Sequence, residues 1–131
     1  MTLVDVHLRL SNTAGLFLAI LALWALWLRI RSRPLDGNWF GAMVIGELLL
    51  IAQALIGVYL YYGQGLGVAL PRPFLHILYG LVALLTMPAA YSYFNSLEDE
   101  NVKTLAMAAV CAFLWGIVQR AAFVAQVVGS R

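Results

Sequence analysis

Two histidines stand in a chain otherwise poor in reactive side chains: His7 in "VDVHLRLSN" and His76 in "PRPFLHILYG". A neutral imidazole binds transition metals through either ring nitrogen, so the first chemistry to consider is ligation by this pair. Arg9, Arg72 and Arg120 are the cations nearest to that chemistry, and Glu47 is the one carboxylate deep within an apolar stretch. The single cysteine, Cys111, excludes an intrachain disulfide and any C-x-x-C-H attachment of heme. The sequence contains no Gly-rich phosphate loop, no H-E-x-x-H, no Ser/His/Asp set and no basic nucleic-acid patch. Hydrolase, nucleotide and nucleic-acid functions are therefore set aside.

The elements that carry these residues follow from composition. Of 131 residues, 63% are hydrophobic and 11% charged, with a formal net charge of +2. Soluble domains are usually about 45–50% apolar, so the surrounding medium is a lipid bilayer. Crossing it takes about 20 mainly apolar residues, and four stretches are long enough, about 8–30, 39–62, 73–94 and 101–127. Backbone groups in lipid must be satisfied internally, so each stretch is expected to be a helix. Short connections make sequence neighbours antiparallel. The expected fold is an all-α, integral-membrane, up-down-up-down four-helix bundle forming a single domain over residues 1–131. The first stretch reads as a membrane helix rather than a cleaved signal, because Asp5 precedes it and no small-x-small site follows.

"LRIRSRPLDGN" places Arg29, Arg31 and Arg33 directly after the first helix, ahead of the breakers Pro34, Asp36 and Gly37. The bias of basic residues toward the cytoplasm puts this loop inside, joined by Lys103, and both termini outside. Arg9, Arg72, Arg120 and Arg131 then fall toward the outer side. The implied location is a bacterial-type cytoplasmic membrane, crossed several times. Trp24, Trp27, Trp39, Tyr59, Tyr61, Tyr62, Tyr91 and Tyr93 lie near helix ends, as interfacial belts do; bordering a quinone cleft is the other reading, and the sequence does not separate it from anchoring.

In this topology His7 and His76 lie at the outer ends of helices 1 and 3, which run parallel, so they share a depth with Arg9, Arg72 and Arg120. The helical recurrence from each histidine runs over small residues: Ser11, Ala14, Leu18, Ala22, Ala25 on one helix and Gly80, Ala83, Met87, Ala90 on the other. Helix 4 has Arg120, Gly116, Ala112 and Ala109 in line, and helix 2 has Ala42, Gly46, Gln53 and Gly57. Such stripes are expected to face either a wide group or another helix.

One reading is a heme held by His7 and His76, with Gly80 leaving room for the ring one turn below its ligand. Arg9, Arg72 and Arg120 would then pair with propionate carboxylates. Two histidine ligands leave no open coordination position, so the group would move electrons rather than activate oxygen. The other reading is purely structural: small residues let membrane helices approach, and terminal histidines and arginines are wetted at the interface. Glu47 would be either a proton site or a carboxyl kept neutral by burial. Met43, Met87 and Met107 are core filler.

"HLRLSNTAG" and "LIAQALIGVYLYYGQGLGVALPRPFLHILYGLVALL" resemble the heme A synthase family over about 90 residues. That family has four-helix bundles with a histidine followed by arginine opening the first helix, a Gln-x-x-x-Gly element on the second and a Leu-His pair opening the third. Gln53 to Gly57 and Leu75-His76 match, whereas Leu8 separates His7 from Arg9. The resemblance implies that His7 and His76 ligate one heme with Arg9 close by. The family's enzyme carries two such bundles and a glutamate three residues before its first histidine, where Val4 stands here. One half of that architecture, without the carboxylate, implies a b-type cytochrome rather than the enzyme.

The sequence thus leads to an electron-transfer subunit with heme b, embedded in lipid and working with other subunits of a respiratory or photosynthetic complex, and with quinone as a possible partner. Its rivals are a cofactor-free accessory subunit and a proton or solute conduit through Glu47.

Overall fold

The computed structural model describes residues 1–126, and its regular elements are helical. Helix α1 spans Leu3–Ile30, α2 Gly37–Val58, α3 Pro73–Phe94 and α4 Glu100–Val124. A π-helical turn, Tyr59–Gly63, prolongs α2, and a short 3-10 turn, Leu66–Ala69, lies in the connection to α3. Each of the four long helices is long and apolar enough to cross a membrane. The expected position of Arg131 and the last residue expected in helix 4 lie outside the described residues.

Local chemistry sets the helix limits. α1 begins earlier than its apolar run because Thr2 and Asp5 form a reciprocal cap, each side chain accepting from the other's backbone N–H at 3.2 and 3.0 Å. His7 therefore stands in the second turn of a formed helix. At the other end Arg33 N donates to the Leu28 carbonyl and Ser32 N to that of Arg29, with Ser32 at φ 54°. This is the left-handed helix stop that usually carries glycine, and Pro34 follows it. Asp36 caps α2 through Trp39 N, Pro73 occupies the first turn of α3, and Asp99 caps α4 through Asn101 N and Val102 N.

The helices surround one another in the order α1, α4, α3, α2. α1 packs most extensively on α4, which also packs on α3; α1 packs on α2, and the α2–α3 seam is the slightest. α1 and α3 thus face each other across the bundle. Buried Ala14, Leu18, Leu21 and Ala25 of α1 meet Met107, Cys111, Leu114 and Val118 of α4, with Met43, Ala83 and Met87 completing the core. The small stripe expected below His7 is the buried face of α1, and Ala83, Met87 and Ala90 are buried on α3. Helix α4 differs from expectation. Arg120, Ala112 and Ala109 are exposed, and Gly116 has open space where a Cβ would stand. Larger side chains on the opposite face gain more by burial, and they set its rotation.

No more than a third of any span is buried within the bundle, and leucines, isoleucines and aromatics lie exposed along every helix. Helices apolar all round suit a lipid surround, as in a multi-pass membrane protein. Trp39 is not part of an interfacial belt: it is 0% exposed, and its Nε1 donates to the Leu21 carbonyl at 3.1 Å. Its indole N–H has a partner, so it can be buried where two helices begin to pack.

Gly46 sets the α1–α2 spacing. A Cβ there would lie 3.3 Å from both Phe17 and Leu21. Gly46→Val should lower the thermal midpoint in detergent, with a cost of about 1–3 kcal/mol. Ser32→Gly should raise it by relieving about 1 kcal/mol of left-handed strain. Differential scanning fluorimetry of both variants checks the opposite signs; equal shifts would contradict this account.

Candidate functional site

The site grows from two helix ends. Arg72 stands at the N-cap position of α3 and Pro73 opens the helix, which places His76 in the first turn with its backbone N–H donating to the Arg72 carbonyl at 3.1 Å. The ring then reaches α4. Near the end of α4, Ala125 N turns to the Ala122 carbonyl instead of that of Ala121. Ala121 thus joins the last carbonyls of a helix that lack a backbone donor. His76 Nδ1 lies 2.9 Å from this oxygen. A carbonyl only accepts, so Nδ1 carries the proton, and Nε2 retains its lone pair. This is the arrangement that prepares a histidine for a metal: one nitrogen fixed by a carbonyl, the other free.

His7 reaches the same space from α1. Its ring rests against Gly57 of α2, where an added Cβ would lie 3.2 Å from Cε1 and 3.8 Å from Nε2. Glycine is the residue that leaves the ring this room. His7 Nδ1 is buried and has no hydrogen-bond partner among the described residues, and neither has Gln53 Oε1, one helical turn from Gly57 on α2. Unpaired buried polar atoms each cost about 1–3 kcal/mol, so these two mark a place where the fold leaves polar capacity unused.

The ring centres of His7 and His76 are 6.4 Å apart, with planes at 69°. An imidazole nitrogen sits about 2.0–2.1 Å from the metal it ligates, and its ring centre about 1.1 Å further back. Two imidazoles on opposite sides of one ion would therefore have centres about 6.3 Å apart. The observed separation agrees with that value. Among the described residues there is no group of three or more His, Cys, Asp or Glu placed to hold a metal ion. The two rings by themselves do not make up a coordination shell for a free metal ion.

The remaining expected residues divide. Gly57 lies against His7, and Gln53 stands one helical turn away on α2. Gly80 is exposed, with open space where a Cβ would stand. Arg9, Arg72 and Arg120 are exposed, and the Arg120 guanidinium lies 5.2 Å from the Phe123 ring centre and 6.0 Å from that of Tyr79. Glu47 is elsewhere, in a cleft of about 400 Å³ at the α2–α3 seam. Both of its carboxyl oxygens are buried without a partner among the described residues. Sequence reasoning missed the Ala121 carbonyl altogether, because a backbone acceptor has no side-chain signature. The chain matches no protein-family model, and comparisons with curated proteins and with solved structures find no match.

Selective ¹⁵N labelling of histidine checks this geometry without any cofactor. The His76 resonances should report a proton on Nδ1 and a bare Nε2; the reverse tautomer would contradict the bond to Ala121.

Proposed function

We propose that the chain is a small b-type membrane cytochrome that binds one heme through His7 and His76 and passes single electrons as a subunit of a larger membrane complex. The observation that carries this reading is the 6.4 Å separation of the two imidazole centres across α1 and α3. The orphaned Nδ1 of His7 and the cradle at Gly57 support it. Two histidines alone would suit a metal whose other ligands come with it. When bound, the heme supplies a reversible one-electron couple with no open position for oxygen chemistry.

The chain's own residues do the rest. His76 is held by Ala121 so that its free Nε2 lone pair needs little reorganisation to ligate. Gly57 keeps the face of α2 clear of the His7 ring. Arg9, Arg72 and Arg120, at the same end of the bundle, supply positive charge for carboxylates at the membrane edge and raise the potential of a nearby couple. Neither histidine serves as an acid or base in this reading, so the chain is a carrier and not a stand-alone enzyme.

An up-down-up-down course is part of the proposal. It is supported by the pairing of Trp39 with Leu21, Gly46 with Phe17 and Gly57 with His7, in which later residues of α2 meet earlier residues of α1. His76 near the start of α3 likewise meets Ala121 near the end of α4. With Arg29, Arg31 and Arg33 on the cytoplasmic side of a bacterial-type membrane, the histidine end and both termini face outward. The exposed apolar faces of α2 and α3 leave room for neighbouring subunits.

Protein made in heme-replete cells and purified in detergent should carry one heme per chain, with a Soret band and sharp reduced-state bands. His7→Ala and His76→Ala should each lower heme content about tenfold or more, and Gly57→Val should lower it while leaving helicity intact. A colourless wild-type preparation would overturn the proposal in favour of a cofactor-free accessory subunit.

A further inference from the structure

The α2–α3 seam holds a second feature that the histidine pair does not use. Its cleft of about 400 Å³ is bounded by Phe40, Met43, Glu47 and Leu48 of α2 and by Met87 and Tyr91 of α3. Phe40, Met43 and Glu47 recur at helical spacing, so one wall carries an aromatic ring, a thioether and a carboxyl in line. Met87 and Tyr91, four residues apart, form the facing wall, and the Tyr91 ring stands edge-on to that of Phe40 at 5.8 Å between centres. Leu48 and Tyr91 are exposed at the rim, so a molecule dissolved in the membrane reaches the cleft without crossing the bundle. Small-molecule sites typically occupy about 300–1,000 Å³, which this space satisfies.

Glu47 is the one charged residue in this lining. Both of its carboxyl oxygens are buried, and neither has a hydrogen-bond partner among the described residues. No described cation answers it: the one ion pair among these residues joins Lys103 to Glu100 at the start of α4. The group is costly in either form, since a carboxylate here lacks a countercharge and a carboxylic acid lacks an acceptor for its proton. That need selects the occupant. A lipid tail fills the space and leaves the carboxyl unanswered. A hard metal ion wants about six oxygen ligands, and these walls offer one carboxylate. A neutral hydroxyl bonds without bringing charge. An ammonium group on an apolar body meets every part of the lining. Its N–H groups donate to the carboxylate, an aromatic face attracts its charge, and the methionine sulfurs pack against its frame.

We infer that the α2–α3 cleft binds a lipophilic amine as its ammonium ion, with Glu47 as counter-ion and the apolar body held between the Phe40–Tyr91 pair and the two methionines. In the free protein the carboxyl oxygens lie beneath the cleft surface, and Glu47 changes rotamer to meet the ligand. The bound pair is the same whichever partner arrives with the proton. A neutral amine coming from lipid takes the carboxyl's proton, the O–H bond breaking as the N–H bond forms; an amine already protonated meets a carboxylate. The cleft shares no residue with the histidine pair, so binding there does not require the heme.

The test is photolabelling of the purified chain in lipid nanodiscs with a benzylamine that carries a trifluoromethyldiazirine on its ring, beside the matching benzyl alcohol as the neutral control. Labelled residues are mapped by mass spectrometry. The amine should label the cleft walls, excess unlabelled benzylamine should suppress that labelling, and Glu47→Gln should weaken it about tenfold. The alcohol should label lipid-facing residues generally and without saturation. Labelling of the cleft should be unchanged in His76→Ala, which tells loss of the heme from loss of this site. Should Glu47→Gln fail to fold, the comparison of amine with alcohol on the wild-type chain decides alone. Equal labelling of the cleft by both probes, labelling that excess benzylamine does not suppress, or full labelling in folded Glu47→Gln would overturn the inference.

Discussion

The hydrogen bond from His76 Nδ1 to the Ala121 carbonyl is the constraint on which the site end of the molecule depends. It serves both partners. The carbonyl near the end of α4 loses its backbone donor where the helix tightens, and the imidazole supplies one. The imidazole in turn is locked in one tautomer, with the other nitrogen free. A group that would otherwise destabilise a membrane helix is thereby turned into the anchor of a candidate ligand. Removing the histidine would expose that cost even in a protein without a cofactor, so the structural and functional readings of His76 share one bond.

His7 is the contrasting half. None of the described residues satisfies its buried Nδ1, and its position is set by shape, with Gly57 behind it. One ring held by a hydrogen bond and the other by packing, 6.4 Å apart, make an asymmetric pair. The two helices that carry them lie across the bundle from each other, so the distance between the rings depends on both intervening seams, α1 with α4 and α4 with α3. These are the two most extensive seams in the molecule. The tight side of the bundle thus positions the histidines, while the loose α2–α3 side contains the cleft and Glu47.

Much of this was legible in the residues. Apolar length alone gives the four helices, and the recurrence Ala14, Leu18, Ala25 identifies the buried face of α1 because small and branched side chains at helical spacing suit close packing. The approach of His7 to His76 followed from placing both at the same end of helices 1 and 3. Three things were not legible. The outward rotation of the Arg120 stripe on α4 depends on which of two faces buries more volume, and both faces are apolar. The burial of Trp39 depends on a backbone acceptor at Leu21, and the orientation of His76 on another at Ala121. Side-chain pattern does not report which carbonyls a helix end leaves free, nor how far one seam stands open relative to another.

The central claim is that these two rings can take one metal between them, and the most direct measurement is a titration of the detergent-solubilised chain with ferric heme, followed by electron paramagnetic resonance. The account predicts saturation at one equivalent with a low-spin ferric signal from two imidazole ligands. A high-spin signal from a singly ligated iron, or uptake without a defined end point, would contradict it.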